Sequence, residues 1–278
     1  MSGIFSFLLI IANVILSYKG FTSDVFFERY KFEVEKILLY KDYKRIITGG
    51  FLHVSWLHLF FNMFSLYAFS GLVETTLGPV KFLIIYFSSL IGGGLLSLLV
   101  HRNDPDYASV GASGAICGVM FASIALFPGI GISFFGLFSL PSWLYGILFI
   151  AFSIYAIRSR KDNIGHEAHL GGALIGMAIA ILMEPSALIN NYIVILIIAL
   201  PTVIFIYLII TNPHILLVEN LFYNEHKNHY SIDHLYNQEK NKNQQEIDKI
   251  LDKINKKGIN SLTKKEKETL KENSRKIR

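Results

Sequence analysis

The sequence predicts an all-α fold, a polytopic membrane bundle followed by a polar tail. Hydrophobic residues make up 52% of the 278 positions, and charged residues only 17%. The charge is segregated, because residues 219–278 contain 14 of the 26 Lys and Arg. Much of the remainder consists of apolar segments close to the roughly 20 residues that a helix needs to cross a bilayer. A single cysteine excludes a disulfide scaffold and a zinc module built on cysteines.

The expected membrane domain covers residues 1–212. The first apolar segment has no basic residue ahead of it and no small-residue cleavage motif, so we expect a retained span rather than a signal peptide. Residues 213–278 would form a polar linker and a short helical tail, since Ile247, Ile250, Leu251 and Ile254 recur at helical spacing. Seven segments of the membrane domain are long and apolar enough to span or nearly span the bilayer: about 3–18, 51–71, 80–100, 111–127, 142–158, 166–183 and 191–211.

Several spans carry polar residues of the kind that suggest function. Such groups are unfavourable in lipid unless they are paired or face a cavity. His53, His58 and Asn62 lie in the second segment, Ser113 in the fourth and His169 in the sixth. His58 and Asn62 are four residues apart and therefore share one helix face.

The order of the spans brings these residues towards one another. The second, fourth and sixth spans run in the same direction, so Ser113 and His169, near the amino ends of their spans, have similar depth. His58, about seven residues into its helix, is expected roughly 10 Å further along. Small residues recur at every fourth position in the fourth span (Gly114, Gly118, Ala122) and in the sixth (Ala168, Gly172, Gly176, Ala180). Such ridges allow close helix packing, which predicts that the Ser113 hydroxyl meets the His169 imidazole.

A serine paired with a histidine is typical of nucleophilic catalysis with a general base. The oxyanion formed in acyl transfer needs preorganised donors. The Ser113 N–H begins a helix and lacks a helical partner, and His58 and Asn62 could add two side-chain donors. Gly111 and Gly114 flank the serine and would let a substrate backbone approach.

These motifs, in this order and at these separations, resemble the rhomboid intramembrane serine proteases over about residues 43–177. The matching segments are Phe51-Leu52-His53 followed by His58 and Asn62, Gly71-Leu72-Val73-Glu74, Gly111-Ala112-Ser113-Gly114 and Ala168-His169-Leu170-Gly171-Gly172.

The resemblance implies a catalytic dyad of Ser113 and His169 and an oxyanion hole formed by the Ser113 amide, His58 and Asn62. Supporting positions would be His53, Gly111, Gly114, Glu74 and Arg45. The fold would be a rhomboid-like six-helix core plus a seventh span. Substrates would be transmembrane segments of other proteins, cut in the bilayer without cofactor, metal or nucleic acid. We expect a multi-pass protein of the cell (inner) membrane.

Two positions depart from the family pattern. Many members have Trp-Arg in the first loop, where this chain has Lys44-Arg45 after Tyr43. An aromatic residue often lies four positions after the nucleophile, against the catalytic imidazole, and here that position is Cys117. We therefore expect an aromatic side chain from elsewhere in the fold to support His169.

Other functions fit the sequence less well. His166-Glu167-Ala168-His169 resembles the zinc motif His-Glu-x-x-His, but its histidines are three rather than four residues apart. An aspartyl intramembrane protease would need an aspartate inside a span, and none of the seven segments has one. A transporter is disfavoured because no inverted repeat is visible. The main alternative is a non-catalytic rhomboid-fold protein that binds membrane clients, although such a protein would be expected to lack the serine or the histidine.

The sequence leaves the orientation open. Basic residues are concentrated in the loops after the first, third and fifth segments, which by the positive-inside rule places the active-site mouth in the cytoplasm. The family resemblance implies the opposite side.

Overall fold

A computed structural model describes residues 3–134, 138–159 and 164–211, together with the isolated positions 250, 253 and 263. The elements below belong to the unit formed by residues 1–219. The predicted linker and helical tail at 213–278 lie outside the described residues, apart from the three isolated positions.

The described part of the membrane domain is almost entirely helical. Its helices are α1 (Ile4–Thr22), α2 (Asp24–Tyr30), α3 (Val34–Leu38), α4 (Arg45–Thr48), α5 (Trp56–Leu77), α6 (Pro79–Val100), α7 (Ser113–Leu126), α8 (Ser142–Ser159), α9 (His166–Met183) and α10 (Ser186–Thr211). A 3-10 turn covers Gly49–Phe51. Two short antiparallel ladders pair β1 (Phe32–Glu33) with β2 (Ala108–Ser109), and β3 (Gly131–Phe134) with β4 (Phe138–Pro141).

Six of these helices, α1, α5, α6, α8, α9 and α10, are long and apolar enough to cross a membrane. Their lipid-facing sides carry large exposed apolar side chains, such as Ile4, Phe60 and Leu196. The predicted all-α, polytopic membrane bundle is therefore confirmed.

The fourth expected segment, 111–127, forms a shorter helix. Helix α7 has only 14 residues, and all of them from Gly114 to Leu126 are buried. It cannot extend towards its amino end, because Gly111 has a φ of +130°, a conformation outside the helical region. Helix α7 is thus the central core helix, surrounded by protein rather than by lipid.

The second expected segment, 51–71, begins later than the sequence suggested. Helix α5 starts at Trp56, because the Ser55 side chain caps it by accepting a hydrogen bond from the His58 N–H at 3.1 Å. His53 therefore precedes the helix instead of lying within a span. His58 is the third helical residue, so the expectation of seven residues and a 10 Å greater depth was wrong.

Helix α10 starts before the expected residue 191 and contains a break there. Asn191 has non-helical backbone angles, φ −122° and ψ 18°. Its side-chain Nδ2 donates to the carbonyls of Ala125 at 2.9 Å and Leu126 at 3.3 Å. The bend therefore satisfies two carbonyls at the carboxyl end of α7, which have no partners within their own helix.

Helices α6, α7 and α9 pack with their backbones in contact. A Cβ atom at Gly172 would overlap the Gly114 carbonyl oxygen, and one at Gly176 would overlap that of Gly118. On the neighbouring seam, a Cβ at Gly93 would lie 2.5 Å from the carbonyl oxygen of Ala168. The small-residue ridges seen in the sequence are therefore the contact surfaces that set the distance between α7 and α9.

Candidate active site

Ser113 and His169 are in direct contact. The Ser113 Oγ lies 2.7 Å from the His169 Nε2, within hydrogen-bond distance. Ser113 is the first residue of α7 and His169 lies in the first turn of α9, so the backbone contact of these helices brings them together. His169 is buried and Ser113 half-buried. The arrangement allows the imidazole to accept the serine proton.

His58 lies beside this pair. A Cβ at Gly111 would lie 3.0 Å from the His58 Nε2 and 3.8 Å from the Ser113 Oγ, so both side chains approach the same bare glycine. Gly111 is held in place by its N–H, which donates to the Gly49 carbonyl at 3.0 Å. Only glycine combines its positive φ with this close approach.

Asn62 lies one turn below His58 and is buried. Its Nδ2 donates one hydrogen bond to the His58 carbonyl at 3.0 Å. An amide nitrogen carries two N–H groups, so a second donor remains available for another acceptor.

His53 supports His58 from behind. Its Nδ1 lies 2.8 Å from the Ser17 Oγ, and the rings of His53 and His58 meet edge to face with centroids 4.9 Å apart. Burial, followed by repulsion from His58, lowers the pKa of His53 to about 3, so its imidazole is neutral near neutral pH.

The other expected supporting residues act at different places. Gly114 faces Ala168 of α9, whose carbonyl oxygen would lie 3.4 Å from an added Cβ. The Glu74 carboxylate accepts hydrogen bonds from the N–H groups of Phe5 at 3.0 Å and Ser6 at 2.9 Å. It therefore caps the amino end of α1, where an anion is favourable.

Arg45 is buried rather than directed towards lipid. Its guanidinium donates to the carbonyls of Glu28 and Lys31, both at 2.9 Å, and to the Asp42 carboxylate at 3.0 Å. Arg45 thus holds the first loop together. Lys44 remains exposed at that loop, 3.3 Å from an Asp42 oxygen.

A cavity of about 50 Å³ opens beside Ser113, enough for water molecules. Besides Ser113, small residues in its wall include Ser109, Gly111, Gly114, Gly165 and Ala168.

A family model described as the rhomboid domain matches residues 40–186. This segment contains Ser113, His169, His58, Asn62 and His53. The chain belongs to the rhomboid family. A second model, described as a family of unknown function, matches residues 230–276.

Several rhomboid proteins are similar to this chain. Rhomboid protein 1, mitochondrial, of Saccharomyces cerevisiae is 33% identical over 157 residues, covering 53% of this chain and 45% of that protein. RHOMBOID-like protein 12, mitochondrial, of Arabidopsis thaliana is 30% identical over 145 residues, covering 47% and 43%. Inactive RHOMBOID-like protein 8, also of Arabidopsis thaliana, is 30% identical over 128 residues, covering 46% and 34%. The chain thus spans less than half the length of these relatives.

An aromatic ring does lie against His169, although Cys117 replaces the one expected from α7. The ring of Phe149, on α8, has its centroid 6.0 Å from that of His169. Cys117 itself is buried in the apolar core. Tyr145, Phe149 and Phe152 follow helical spacing in the sequence, but this spacing does not indicate which of them faces His169.

A buried carboxylate near Ser113 and His169 was not predicted. Glu167 accepts hydrogen bonds from the Tyr107 hydroxyl at 2.5 Å and the Ser97 hydroxyl at 3.2 Å, and its Oε1 lies 3.2 Å from the His101 Nε2. Burial and the adjacent carboxylate raise the pKa of Tyr107 well above its usual range, which keeps the phenol a donor. This cluster ties the first turn of α9 to the end of α6 and to the loop before α7, so Glu167 is engaged with side chains other than His166 and His169.

Proposed function

We propose that this rhomboid protein is an intramembrane serine endopeptidase that cleaves transmembrane segments of other membrane proteins. The observation that carries the proposal is the 2.7 Å separation of the Ser113 Oγ and the His169 Nε2. A hydroxyl at that distance from an imidazole nitrogen can transfer its proton as it attacks a carbonyl carbon.

In the proposed reaction, His169 Nε2 takes the Ser113 proton while the Ser113 oxygen forms a bond to the carbonyl carbon of the scissile peptide. The imidazolium then gives that proton to the leaving amine as the C–N bond breaks, leaving an acyl-enzyme. Water then attacks the ester with His169 as base, and the imidazolium returns the proton to the Ser113 Oγ as the ester C–O bond breaks, which releases the carboxylic acid product and restores the enzyme. The cavity beside Ser113 supports this last step, because it has room for water next to the ester.

The oxyanion would be stabilised by three donors. One is the Ser113 N–H, which has no helical partner at the first position of α7. The others would be an imidazole N–H of His58 and the second N–H of the Asn62 amide. His58 lies on the Ser113 side of Gly111, which supports its assignment.

The proposal also covers the domain boundaries and the membrane in which the protein lies. We assign residues 1–212 to the protease domain, 213–278 to a polar tail, and the protein to the cell (inner) membrane. Two of the relatives reported above are named as mitochondrial, so fractionation of the source cell's membranes is the direct test of location. Recovery in an organelle membrane would overturn that assignment.

The activity is tested with the full-length chain in proteoliposomes that also contain a model transmembrane substrate. We expect wild type to cleave it and to be labelled by a fluorophosphonate, whereas Ser113→Ala loses both and His169→Ala loses cleavage. Ser159→Ala, at the carboxyl end of α8, is the matched control and should behave as wild type. Cleavage by Ser113→Ala close to the wild-type rate would refute the assignment.

The same experiment tests the non-catalytic alternative. One similar rhomboid protein is named as inactive, so family membership alone does not decide between cutting and binding. If folded wild type neither cleaves nor labels but retains a transmembrane client, the client-binding function is correct.

A further inference from the structure

We infer that Phe149, on α8, is the positioning residue for the His169 imidazole. This inference rests on the proposed function, because it assigns to Phe149 the role of keeping the general base aligned with Ser113. The ring centroids of Phe149 and His169 are 6.0 Å apart and inclined by 40°, a normal distance for interacting aromatic rings.

Phe149 is itself held by other rings. It meets Phe121 of α7 edge to face, with centroids 5.9 Å apart, and Tyr145, one turn earlier on α8, at 6.3 Å. Tyr145 in turn contacts Phe69 of α5 at 6.0 Å. Phe149 is half-buried, and the Phe121 ring that it contacts is completely buried, so Phe149 packs against the protein core.

The next aromatic residue of α8 contacts the other histidine of α9. Phe152 lies 5.5 Å from the His166 ring, and His166 lies 5.3 Å from the His169 ring, both edge to face. Tyr145, Phe149 and Phe152 have the spacing i, i+4 and i+7, which places them along one side of a helix. We call these three residues the α8 aromatic stripe.

The residue one turn after the nucleophile cannot provide this support. Cys117 is buried in the same apolar cluster that Phe149 packs against, and a thiol has no flat face to hold an imidazole. The nucleophile therefore belongs to α7, the base to α9, and the ring that orients the base to a third helix, α8. Rotation of the imidazole away from Ser113 would misalign proton transfer without moving the serine backbone.

The inference predicts a specific kinetic change. Misplacement of a reacting group by about 1 Å lowers rates by about a hundredfold in other enzymes. We expect Phe149→Leu, which keeps apolar volume but removes the ring, to lower kcat by about tenfold or more with little change in KM. Phe149→Tyr keeps the ring and should retain most of kcat. Tyr155→Leu is the matched control, because Tyr155 is on the same helix with 59% of its surface exposed, and it should match wild type.

The assay uses full-length protein in proteoliposomes, with thermal unfolding measured for every variant. A Phe149→Leu protein that keeps wild-type kcat, turns over faster, or changes only KM would overturn the inference. If Phe149→Leu does not fold, Phe149→Tyr, which keeps a ring, is compared with Phe149→Met, which lacks one. Equal kcat values for these two variants would also overturn the inference.

A spectroscopic measurement separates this inference from the proposed function. In the NMR spectrum of protein with labelled histidines, the ring current of Phe149 should shift the His169 carbon-bound protons. The shift should disappear in Phe149→Leu and persist in Tyr155→Leu. If wild type cleaves no substrate, the proposed function fails, and an unchanged His169 signal in Phe149→Leu would show separately that the ring does not position the imidazole.

Discussion

Two sides of the bundle contribute to the candidate site in different ways. On one side, α6, α7 and α9 touch through glycines, so close that an added Cβ at Gly172 would overlap a backbone oxygen. On the other side, the contacts are between side chains: His53, which precedes α5, lies against His58, and Phe149 of α8 lies against His169. The glycine side fixes where the two backbones carrying Ser113 and His169 lie. The side-chain side fixes where individual polar groups point.

This difference predicts which measurement each substitution affects. A change on the glycine side should lower stability first, because whole helices must separate. A change on the side-chain side should lower the rate while the protein remains folded.

The largest expected effect is that of Gly172→Ala. Alanine favours a helix over glycine by about 1 kcal/mol, so any loss of stability must come from overlap with Gly114. We expect the free energy of unfolding to fall by about 3 kcal/mol or more, since the obstacle is backbone and cannot rotate away. Thermal unfolding in detergent measures this, with Gly129→Ala as the control because a Cβ there meets nothing within 4 Å. Equal melting temperatures would show that the close helix contact is not needed.

Asn62→Ala should instead slow the reaction and leave the fold intact. Loss of one oxyanion donor lowers kcat by about 10²–10³-fold in other proteases. The amide also bonds the His58 carbonyl of its own helix, but that carbonyl has a backbone donor as well, so little stability should be lost. Cleavage kinetics in proteoliposomes test this. An unchanged kcat would remove Asn62 from the oxyanion hole.

Glu167→Ala should destabilise the protein where the first turn of α9 is joined to the end of α6 and to the loop before α7. Removal of the carboxylate leaves the Tyr107 and Ser97 hydroxyls without their acceptor, for a loss of about 3 kcal/mol. Glu167→Gln retains one carbonyl oxygen as acceptor and should lose about 1 kcal/mol. Equilibrium unfolding of the two variants measures the difference. If both equal wild type, the cluster does not hold α9 in place.

A pH dependence should come from His53 on the side-chain side. Its pKa is about 3 in the folded protein against an ordinary 6.5, so between these values the unfolded chain binds a proton that the folded one does not. Stability is therefore complete above pH 6.5 and falls as the pH decreases, by about 2 kcal/mol at pH 5. Unfolding of wild type and His53→Asn at pH 7.5 and 5 isolates this contribution. A loss of the same size in the variant would contradict it.

The smallest expected effect is that of Cys117→Ala. The thiol fills space in the core but does not support His169, so stability should fall by less than about 1.5 kcal/mol. The turnover number should stay within about twofold of wild type, an energy difference below 1 kcal/mol. A large drop in kcat without unfolding would show that Cys117 of α7, rather than Phe149 of α8, supports the His169 imidazole.

The sequence predicted the glycine side better than the side-chain side. Small residues at every fourth position of two spans allow their helices to pack closely. The contact between Ser113 and His169 could therefore be predicted from where each residue lies beside these small residues on α7 and α9. The start of α5 was missed because Leu52 and Val54 continue the apolar pattern, whereas the Ser55 cap, a local hydrogen bond, determines where the helix begins. Phe149 could not be singled out, because every aromatic residue of a membrane helix is compatible with either lipid or core.

The bend at Asn191 has a practical consequence for defining a minimal fragment. The rhomboid-domain match ends at residue 186, yet two carbonyls of the central helix receive their hydrogen bonds from five residues further on. A protein cut at the domain boundary would leave both oxygens unsatisfied in an apolar environment, at a cost of several kcal/mol each. Truncations intended for crystallisation or expression should therefore retain helix α10.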